Sequence, residues 1–138
     1  MAKDNIFTRT EDALGKLDGD PPIAMLNLLR FHDQAQYAAD EDEAPCTGAE
    51  AYKRYGAAVT PILHSLGAEV LLSGVAELLG PTDEWDLALV VRYPNASAFK
   101  ALPQMPEYQA IGHHRTAAVK DSRLMMMRYS GEALSGKD

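Results

Sequence analysis

The segment from residue 86 to residue 115 constrains the fold of this chain more than any other. It opens with an apolar run at residues 87–93, which has the length of a buried strand. Asn95 then suits a helix N-cap, because its side chain can accept hydrogen bonds from the free amides of the first turn. Pro103 ends that helix, and Pro106 suits the first turn of another, where its missing amide costs nothing. The segment therefore predicts a strand followed by a crossover helix in two pieces.

Three further apolar runs complete a set of four strands. Between the first two runs, apolar side chains recur every three to four residues from Gly48 to Leu66, which predicts a helix that Gly67 ends. The predicted elements, in chain order, are a strand at residues 23–31, a helix at 48–66, strands at 68–79 and 85–93, helices at 95–102 and 106–119, and a strand at 123–129. The order β-α-β-β-α-β predicts an α+β, ferredoxin-like fold, in which an antiparallel sheet carries two helices on one face.

The predicted strands carry apolar residues on both sides. In the first strand, Met25 and Leu29 point one way while Leu26 and Leu28 point the other, because successive side chains of a strand alternate. The helices cover only one face of such a sheet. A second sheet from a twofold-related subunit is the simplest cover for the other face. The sequence therefore predicts a homodimer that forms a dimeric α/β barrel.

The chain of 138 residues suits one domain, predicted at residues 23–130. Residues 1–22 are an N-terminal extension in which residues 5–17 fit a short helix, and residues 131–138 are a polar, flexible tail. The first residues lack an apolar signal segment, and no apolar run approaches the roughly 20 residues that span a bilayer. A cytoplasmic protein without a membrane partner is the expectation.

The net charge of −7 is concentrated near the N-terminus. The first 50 residues hold 11 acidic and 4 basic side chains, against 9 and 9 in the remainder. Four of the acids form a block at residues 40–43, which like-charge repulsion should keep in a solvated loop. Because an acidic flank repels phosphate and no basic stripe compensates for it, nucleic acid is not an expected partner.

A set of short motifs resembles the DUF1330 family of small bacterial proteins. The motifs are Tyr52-Lys53-Arg54-Tyr55, Pro61-Ile62-Leu63, Gly67-Ala68-Glu69-Val70-Leu71, Val91-Arg92-Tyr93-Pro94, Ser97-Ala98-Phe99, Pro106-Glu107-Tyr108-Gln109 and Arg115. The similar stretch covers about residues 23–130. The resemblance implies membership of the dimeric α/β-barrel superfamily, whose ferredoxin-like subunits pair their sheets face to face. It implies no particular activity.

Several polar and aromatic residues are candidates for the lining of a ligand pocket. Asn27 is the only polar side chain between Ile23 and Leu29, so its amide either faces a cavity or bonds its neighbours. Tyr52 lies three residues before Tyr55 on one helical face, where the two rings either line a pocket mouth or pack in the core. Tyr108 and Arg115 are seven residues apart and share a helix face, so they could hold a carboxylate or carbonyl compound, unless Arg115 pairs with an acid. We take Asn27, Tyr52 and Tyr108 as candidate ligand-binding residues.

The run of His113, His114 and Arg115 is the densest group of possible acid-base and anion-binding residues. Histidine exchanges protons near neutral pH, so His114 and Arg115 are candidate catalytic residues and His113 is a candidate ligand-binding residue. Adjacent helical side chains diverge by about 100°, so the two histidines are not expected to share one ligand. No paired metal-ligand motif is present. Neither a metal nor a cofactor is predicted.

Two functions fit these observations. The first is a homodimeric protein that binds or transforms a small organic molecule in a pocket between sheet and helices. In a catalytic version, a histidine moves a proton and Arg115 stabilises an anionic group. The alternative is a non-catalytic dimeric binding or interaction module. The sequence fixes neither a substrate nor a reaction, and it leaves open whether the protein is an enzyme.

Overall fold

The sheet has the strand order β2-β3-β1-β4, and every neighbouring pair is antiparallel. A computed structural model describes residues 10–80 and 84–129 of the chain. The strands are β1 (Ile23–Phe31), β2 (Glu69–Val75), β3 (Leu87–Tyr93) and β4 (Val119–Arg128), and the helices are α1 (Gly48–Ser65), α2 (Ala96–Ala101), α3 (Pro106–Gln109) and α4 (Gly112–Ala118). Short 3₁₀ turns lie at Ala39–Glu41 and Leu102–Gln104. The predicted α+β class and ferredoxin-like element order are confirmed.

The two predicted flanks of the domain lie partly outside the described residues. Residues 10–15 are helical, inside the short helix predicted at residues 5–17, and the part before residue 10 is outside the described range. The predicted tail at residues 131–138 is also outside it. Within the described residues, no helix is both long and apolar enough to cross a membrane.

Helix α1 begins and ends at residues that its sequence identifies. The Glu50 amide donates to Thr47 Oγ1 at 3.1 Å, and the Thr47 amide donates to Glu50 Oε1 at 2.8 Å, so the two residues form a capping box. The helix ends at Ser65, and Gly67 then adopts a φ of 76°, which glycine tolerates at little cost. These local signals explain why the predicted and observed helices nearly coincide.

The second crossover is more broken than predicted. Asn95 caps α2 as expected, since the Ala98 amide donates to Asn95 Oδ1 at 2.8 Å. The single helix predicted at residues 106–119 was wrong: it is divided into α3 and α4, and Ile111 departs from helical geometry with φ −114° and ψ −5°. Gly112 follows directly, and glycine is a poor helix former. Strand β4 then begins at Val119, earlier than the predicted residue 123.

The main core fills the space between the sheet and the helices. Its buried side chains include Ile23, Met25 and Val91 from the sheet and Val59 and Leu63 from α1. Strand β2 adds little to this core, because every one of its residues is exposed. The strand predicted to reach residue 79 ends at Val75. No strand lies beyond β2 among the described residues, so this edge of the sheet is open.

The opposite face of the sheet is also apolar, as predicted. Leu72 pairs with Val90, Val90 with Leu26, and Leu26 with Met125, so one apolar row crosses all four strands. The row faces away from the helices, because Met25 and Val91, each one position along, point into the core. Leu72 is 66% exposed and Met125 is 60% exposed.

Candidate functional site

A cavity of about 210 Å³ lies between the sheet and α1, next to the open edge at β2. Most of its wall is apolar. The polar and aromatic groups that line it include Asn27, Tyr52, Tyr55, Thr60, Ser73, Tyr93 and Arg115. Strands β1 and β3 supply the floor and α1 supplies one wall, so the cavity occupies the position predicted for a pocket.

Buried phenols form one side of this cavity. Burial raises the pKa of Tyr52 to about 12 and raises the pKa of both Tyr55 and Tyr93 above the ordinary range for a phenol. These side chains are therefore neutral at physiological pH and available as hydrogen-bond donors. The Tyr55 hydroxyl lies 2.9 Å from the Tyr108 hydroxyl, which connects α1 to α3.

Asn27 points into the cavity from the middle of β1. Its Nδ2 donates to the Met25 carbonyl at 3.0 Å, which holds the amide within its own strand. Its Oδ1 accepts no hydrogen bond from the described residues. Both predicted alternatives for Asn27 therefore apply, because one end of the amide is satisfied locally and the other is free to accept from a ligand.

Arg115 brings a positive charge to the cavity. It projects from α4 and is half-buried. Among residues 10–80 and 84–129, no acidic side chain pairs with it and no group accepts a hydrogen bond from it. Its charge acts instead on two phenols, since it favours ionisation of Tyr52 and Tyr55 against the larger effect of burial. The alternative in which Arg115 pairs with an acid is not what the described residues show.

His113 and His114 lie outside this cavity, in a polar cluster with Glu43, Tyr37 and Arg54. His113 Nε2 is 2.7 Å from Glu43 Oε2, and His114 Nε2 is 3.8 Å from the same oxygen. The Tyr37 hydroxyl is 2.7 Å from His114 Nδ1, and Arg54 donates to that hydroxyl at 3.3 Å. The cluster joins the loop between β1 and α1 to the first turn of α4.

Two sequence-based expectations fail at this cluster. Glu43 was placed in a solvated acidic loop, but it is half-buried and paired, and residues Ala39–Glu41 before it form a 3₁₀ turn. The histidines were expected to diverge, yet their ring centroids are 4.1 Å apart and both face one carboxylate. Both lie in the first turn of α4, where Glu43 from the loop before α1 comes within reach of the two rings.

The cluster also changes the acidity of its members. Burial, followed by the charge of His113, lowers the pKa of His114, while the negative charge of Glu43 opposes both effects. The hydrogen bond from His113 is the main reason that the pKa of Glu43 lies below its ordinary value. Burial raises the pKa of Tyr37, and the bond from Arg54 opposes it.

The structure thus divides the predicted site residues into two groups. Asn27, Tyr52 and Arg115 line one cavity, and Tyr108 reaches it through Tyr55. His113 and His114 are not among the residues that line that cavity, so the predicted catalytic pair of His114 and Arg115 does not share one space.

Several residues of both groups were not predicted. Their sequence positions give little warning, because Glu43 and His113 are 70 residues apart and Tyr37 and His114 are 77 residues apart. One signal was available for Tyr93: it ends an apolar strand at the face where Asn27 was expected to point. The residues missed by sequence reasoning are Tyr37, Glu43, Arg54, Thr60, Ser73 and Tyr93.

One protein family matches this chain. Its model, described as a domain of unknown function (DUF1330), matches residues 42–129. No curated protein matches the chain.

Solved structures with a similar fold were also found. Two crystal structures of the RPA0582 protein are similar to the whole fold. One, of the methylated protein, has 35% identity and a TM-score of 0.75, with 93% of each chain covered. The other, described as a protein of unknown function from Rhodopseudomonas palustris, has 38% identity and a TM-score of 0.73, with 91% of this chain and 92% of that chain covered.

A more distant structure supports the fold class alone. It is described as a dimeric protein of unknown function with a ferredoxin-like fold from Bacteroides fragilis, and it has 14% identity and a TM-score of 0.50. The match covers 78% of this chain and 96% of that chain. The predicted ferredoxin-like fold is confirmed.

Proposed function

Because the chain belongs to the DUF1330 family, whose domain has no known function, we propose a function from the cavity itself: the protein is a homodimer that binds a small organic anion between the sheet and α1. The observation that carries the proposal is Arg115, a half-buried cation that lines a mainly apolar cavity and has no acidic partner among the described residues. A cation removed from water without a counter-ion is unfavourable. A ligand carboxylate or enolate would supply the missing charge.

The other polar groups fit the same ligand. The Tyr52 hydroxyl is neutral and makes no hydrogen bond within the described residues, so it can donate to a ligand oxygen. Asn27 Oδ1 can accept from a ligand hydroxyl or amine. Guanidinium groups bind carboxylates through two parallel hydrogen bonds, which also fixes their orientation. The apolar wall would hold the carbon skeleton.

The cavity volume limits the size of the ligand. Pockets for drug-sized molecules occupy about 300–1,000 Å³, and this cavity of about 210 Å³ is smaller. A single cation also suits a monocarboxylate better than a phosphate, which usually needs several donors. We therefore propose a compound the size of a small aromatic or branched aliphatic acid.

Benzoate and benzamide test the proposal, because they have nearly the same shape and differ in charge. Benzoate should raise the melting temperature of the wild type, and benzamide should raise it less, since it cannot neutralise Arg115. Arg115→Gln should remove the difference between the two compounds. Lys100→Gln is the matched control, because it deletes the same charge at an exposed position of α2. Equal shifts in wild type and Arg115→Gln would contradict the proposal.

A second experiment identifies the natural ligand. Wild type and Arg115→Gln are purified from the native host, denatured, and their small-molecule extracts are compared by mass spectrometry. We expect an organic acid that is retained by the wild type and depleted in the variant. An extract that is identical for the two proteins would contradict a role for Arg115.

Binding, rather than catalysis, is the function proposed here. The catalytic version needs His114 to exchange a proton with the ligand, but His114 does not line the cavity, and its ring faces Glu43 and Tyr37. Among the described residues that line the cavity, Arg115 is thus the only charged hydrogen-bond donor. Conversion of a retained acid by the wild type and not by His114→Gln would favour the enzyme instead.

The homodimer is proposed from the open face of the sheet. The apolar row of Leu72, Val90, Leu26 and Met125 is continuous across four strands, and apolar surface of this kind is stabilised by burial against a partner. A second copy presents the same row, so the two sheets can pack face to face about a twofold axis.

Light scattering at micromolar concentration tests the assembly. The wild type should give about twice the chain mass of 15.0 kDa. The double variant Leu72→Glu and Met125→Glu should give the monomer mass, because it places charges on both exposed ends of the row. Ala57→Glu, on the exposed side of α1, is the control and should remain dimeric. A wild-type monomer would contradict this part of the proposal.

A further inference from the structure

The polar cluster outside the cavity has the composition of a metal site. We propose that Glu43, His113 and His114 bind one divalent transition metal ion, with Zn²⁺ as the reference ion. One ligand atom from each residue lies within 4.8 Å of the other two. Two imidazole nitrogens and one carboxylate oxygen form the three-residue set that many catalytic zinc sites use.

The distances between the ligand atoms fit a bound ion. Ligand atoms about 2.0–2.1 Å from a tetrahedral zinc ion are separated from one another by about 3.3 Å. The separations from Glu43 Oε2 are 2.7 Å to His113 Nε2 and 3.8 Å to His114 Nε2. The required value lies between them. The third pair of ligand atoms also lies within 4.8 Å, so the three residues are close enough to share one ion.

A hydrogen bond behind His114 supports the same assignment. A ligating histidine usually donates its other ring N–H to a nearby oxygen, which fixes the tautomer and the ring orientation. The Tyr37 hydroxyl is 2.7 Å from His114 Nδ1 and can accept this proton. With Nδ1 as the donor, the lone pair of Nε2 faces Glu43 and is free for the ion.

Arg54 lies on the other side of the Glu43 carboxylate. Its NH1 is 3.8 Å from Glu43 Oε1 and donates to the Ala44 carbonyl at 3.1 Å. Glu43 Oε1 is therefore directed toward Arg54, while Oε2 is directed toward the histidines. In this arrangement the carboxylate presents Oε2 to the ion.

The donor set selects the class of ion. Imidazole suits zinc, copper, iron and nickel, whereas magnesium and calcium prefer all-oxygen sites. Three protein ligands leave at least one coordination position for water or a small ligand. The ion would also join the loop between β1 and α1 to the start of α4, and it would stabilise the folded state by an amount that grows with the logarithm of the affinity.

Calorimetric titration of the untagged, chelator-treated full-length protein with Zn²⁺ tests the site. The wild type should bind one ion per chain. His113→Ala, His114→Ala and Glu43→Gln should each weaken binding more than Tyr37→Phe does, and Tyr37→Phe should weaken it about tenfold to a hundredfold because it removes only the supporting hydrogen bond. His64→Ala, at an exposed histidine in α1, should bind as the wild type does.

Co²⁺ gives an independent spectroscopic readout. The wild type loaded with Co²⁺ should show visible absorption typical of low coordination number, and Glu43→Gln should weaken it.

Circular dichroism checks the fold of each variant. The nearly isosteric Glu43→Gln and Tyr37→Phe variants replace an alanine variant that fails to fold. No saturable binding by the wild type, or equal binding by wild type and Glu43→Gln, would overturn the proposal. Neither result would affect the anion proposal, because Arg115 takes no part in this test.

Discussion

Helix α4 separates two very different environments. On one side, Arg115 enters an apolar cavity among neutral phenols and has no acidic partner in the described part of the chain. On the other side, His113 and His114 enter a polar cluster whose members bond one another. The cavity is mainly apolar and holds a cation without a counter-charge among the described residues, whereas the charged groups of the cluster pair with one another.

This difference indicates which kind of molecule each region can accept. An unpartnered cation in apolar surroundings favours an anionic ligand, because the ligand supplies a charge that the protein lacks. A compact group of imidazole and carboxylate donors favours a cation, which replaces the hydrogen bonds between them. One short helix thus presents sites of opposite preference.

Truncation of the cavity wall should have the largest effect on stability. Tyr55 is buried, with 8% of its surface exposed, and it belongs to the main core. We expect Tyr55→Ala to lower the free energy of unfolding by about 3–5 kcal/mol, the range for large aromatic side chains. Tyr55→Phe should cost only about 1 kcal/mol, since it loses one hydrogen bond. Urea denaturation measures both free energies of unfolding. If Tyr55→Ala lost less stability than Tyr55→Phe, packing of the Tyr55 ring would not be what stabilises the cavity wall.

Two glycines of α1 sharpen the comparison at the level of the backbone. A Cβ at Gly48 would overlap the His32 carbonyl oxygen, whereas a Cβ at Gly56, which lines the cavity, would meet nothing within 4 Å. Gly48→Ala should therefore destabilise the protein by about 1–3 kcal/mol through overpacking. Gly56→Ala should stabilise it by up to about 1 kcal/mol through helix propensity. Thermal denaturation compares the pair, and the same sign for both would contradict the described packing at Gly48.

Tyrosines of the cavity and of the cluster should also differ in how they affect protein stability at alkaline pH. Burial raises the pKa of Tyr52 from 10.0 to about 12, so the folded state favours the neutral phenol. Its contribution to stability is complete below pH 10 and is lost as pH rises toward about 12. We expect Tyr52→Phe to lose less stability than the wild type across this interval.

Tyr37→Phe is the matched variant at the cluster. Burial of Tyr37 raises its pKa too, but the bond from Arg54 opposes the effect. This variant should therefore resemble the wild type more closely across the same interval. Urea denaturation at several pH values provides the comparison. Ionisation of Tyr52 near pH 10 would contradict the prediction, because it would show that the Tyr52 hydroxyl is exposed to water.

Much of the fold was predictable because its signals are local. Strand β1 was predicted at the residues where it lies, since an apolar run bounded by Pro21 and Pro22 has few alternatives. The start of α1 follows from Thr47 and Glu50, whose capping box needs only neighbouring residues. The break at Ile111 was missed, because the sequence from Pro106 onward is compatible with one helix and the packing of the second crossover divides it.

The site was less predictable than the fold. Asn27, Tyr52 and Arg115 were selected as unusual residues in predicted elements, and they do line one cavity. The expected divergence of His113 and His114 considered their helix alone, and it was wrong because Glu43, from a distant loop, lies close to both rings. Nothing in the acidic block distinguished Glu43 from its three neighbours.

The sequence by itself determined the order of strands and helices and the presence of apolar residues on both faces of the sheet, because both depend on alternation and capping over a few residues. Only the tertiary structure decided which charges meet. It brought Glu43 to His113 across 70 residues and left Arg115 without an acidic partner among the described residues. These outcomes depend on how segments far apart in the sequence pack together, and local sequence patterns do not determine that packing.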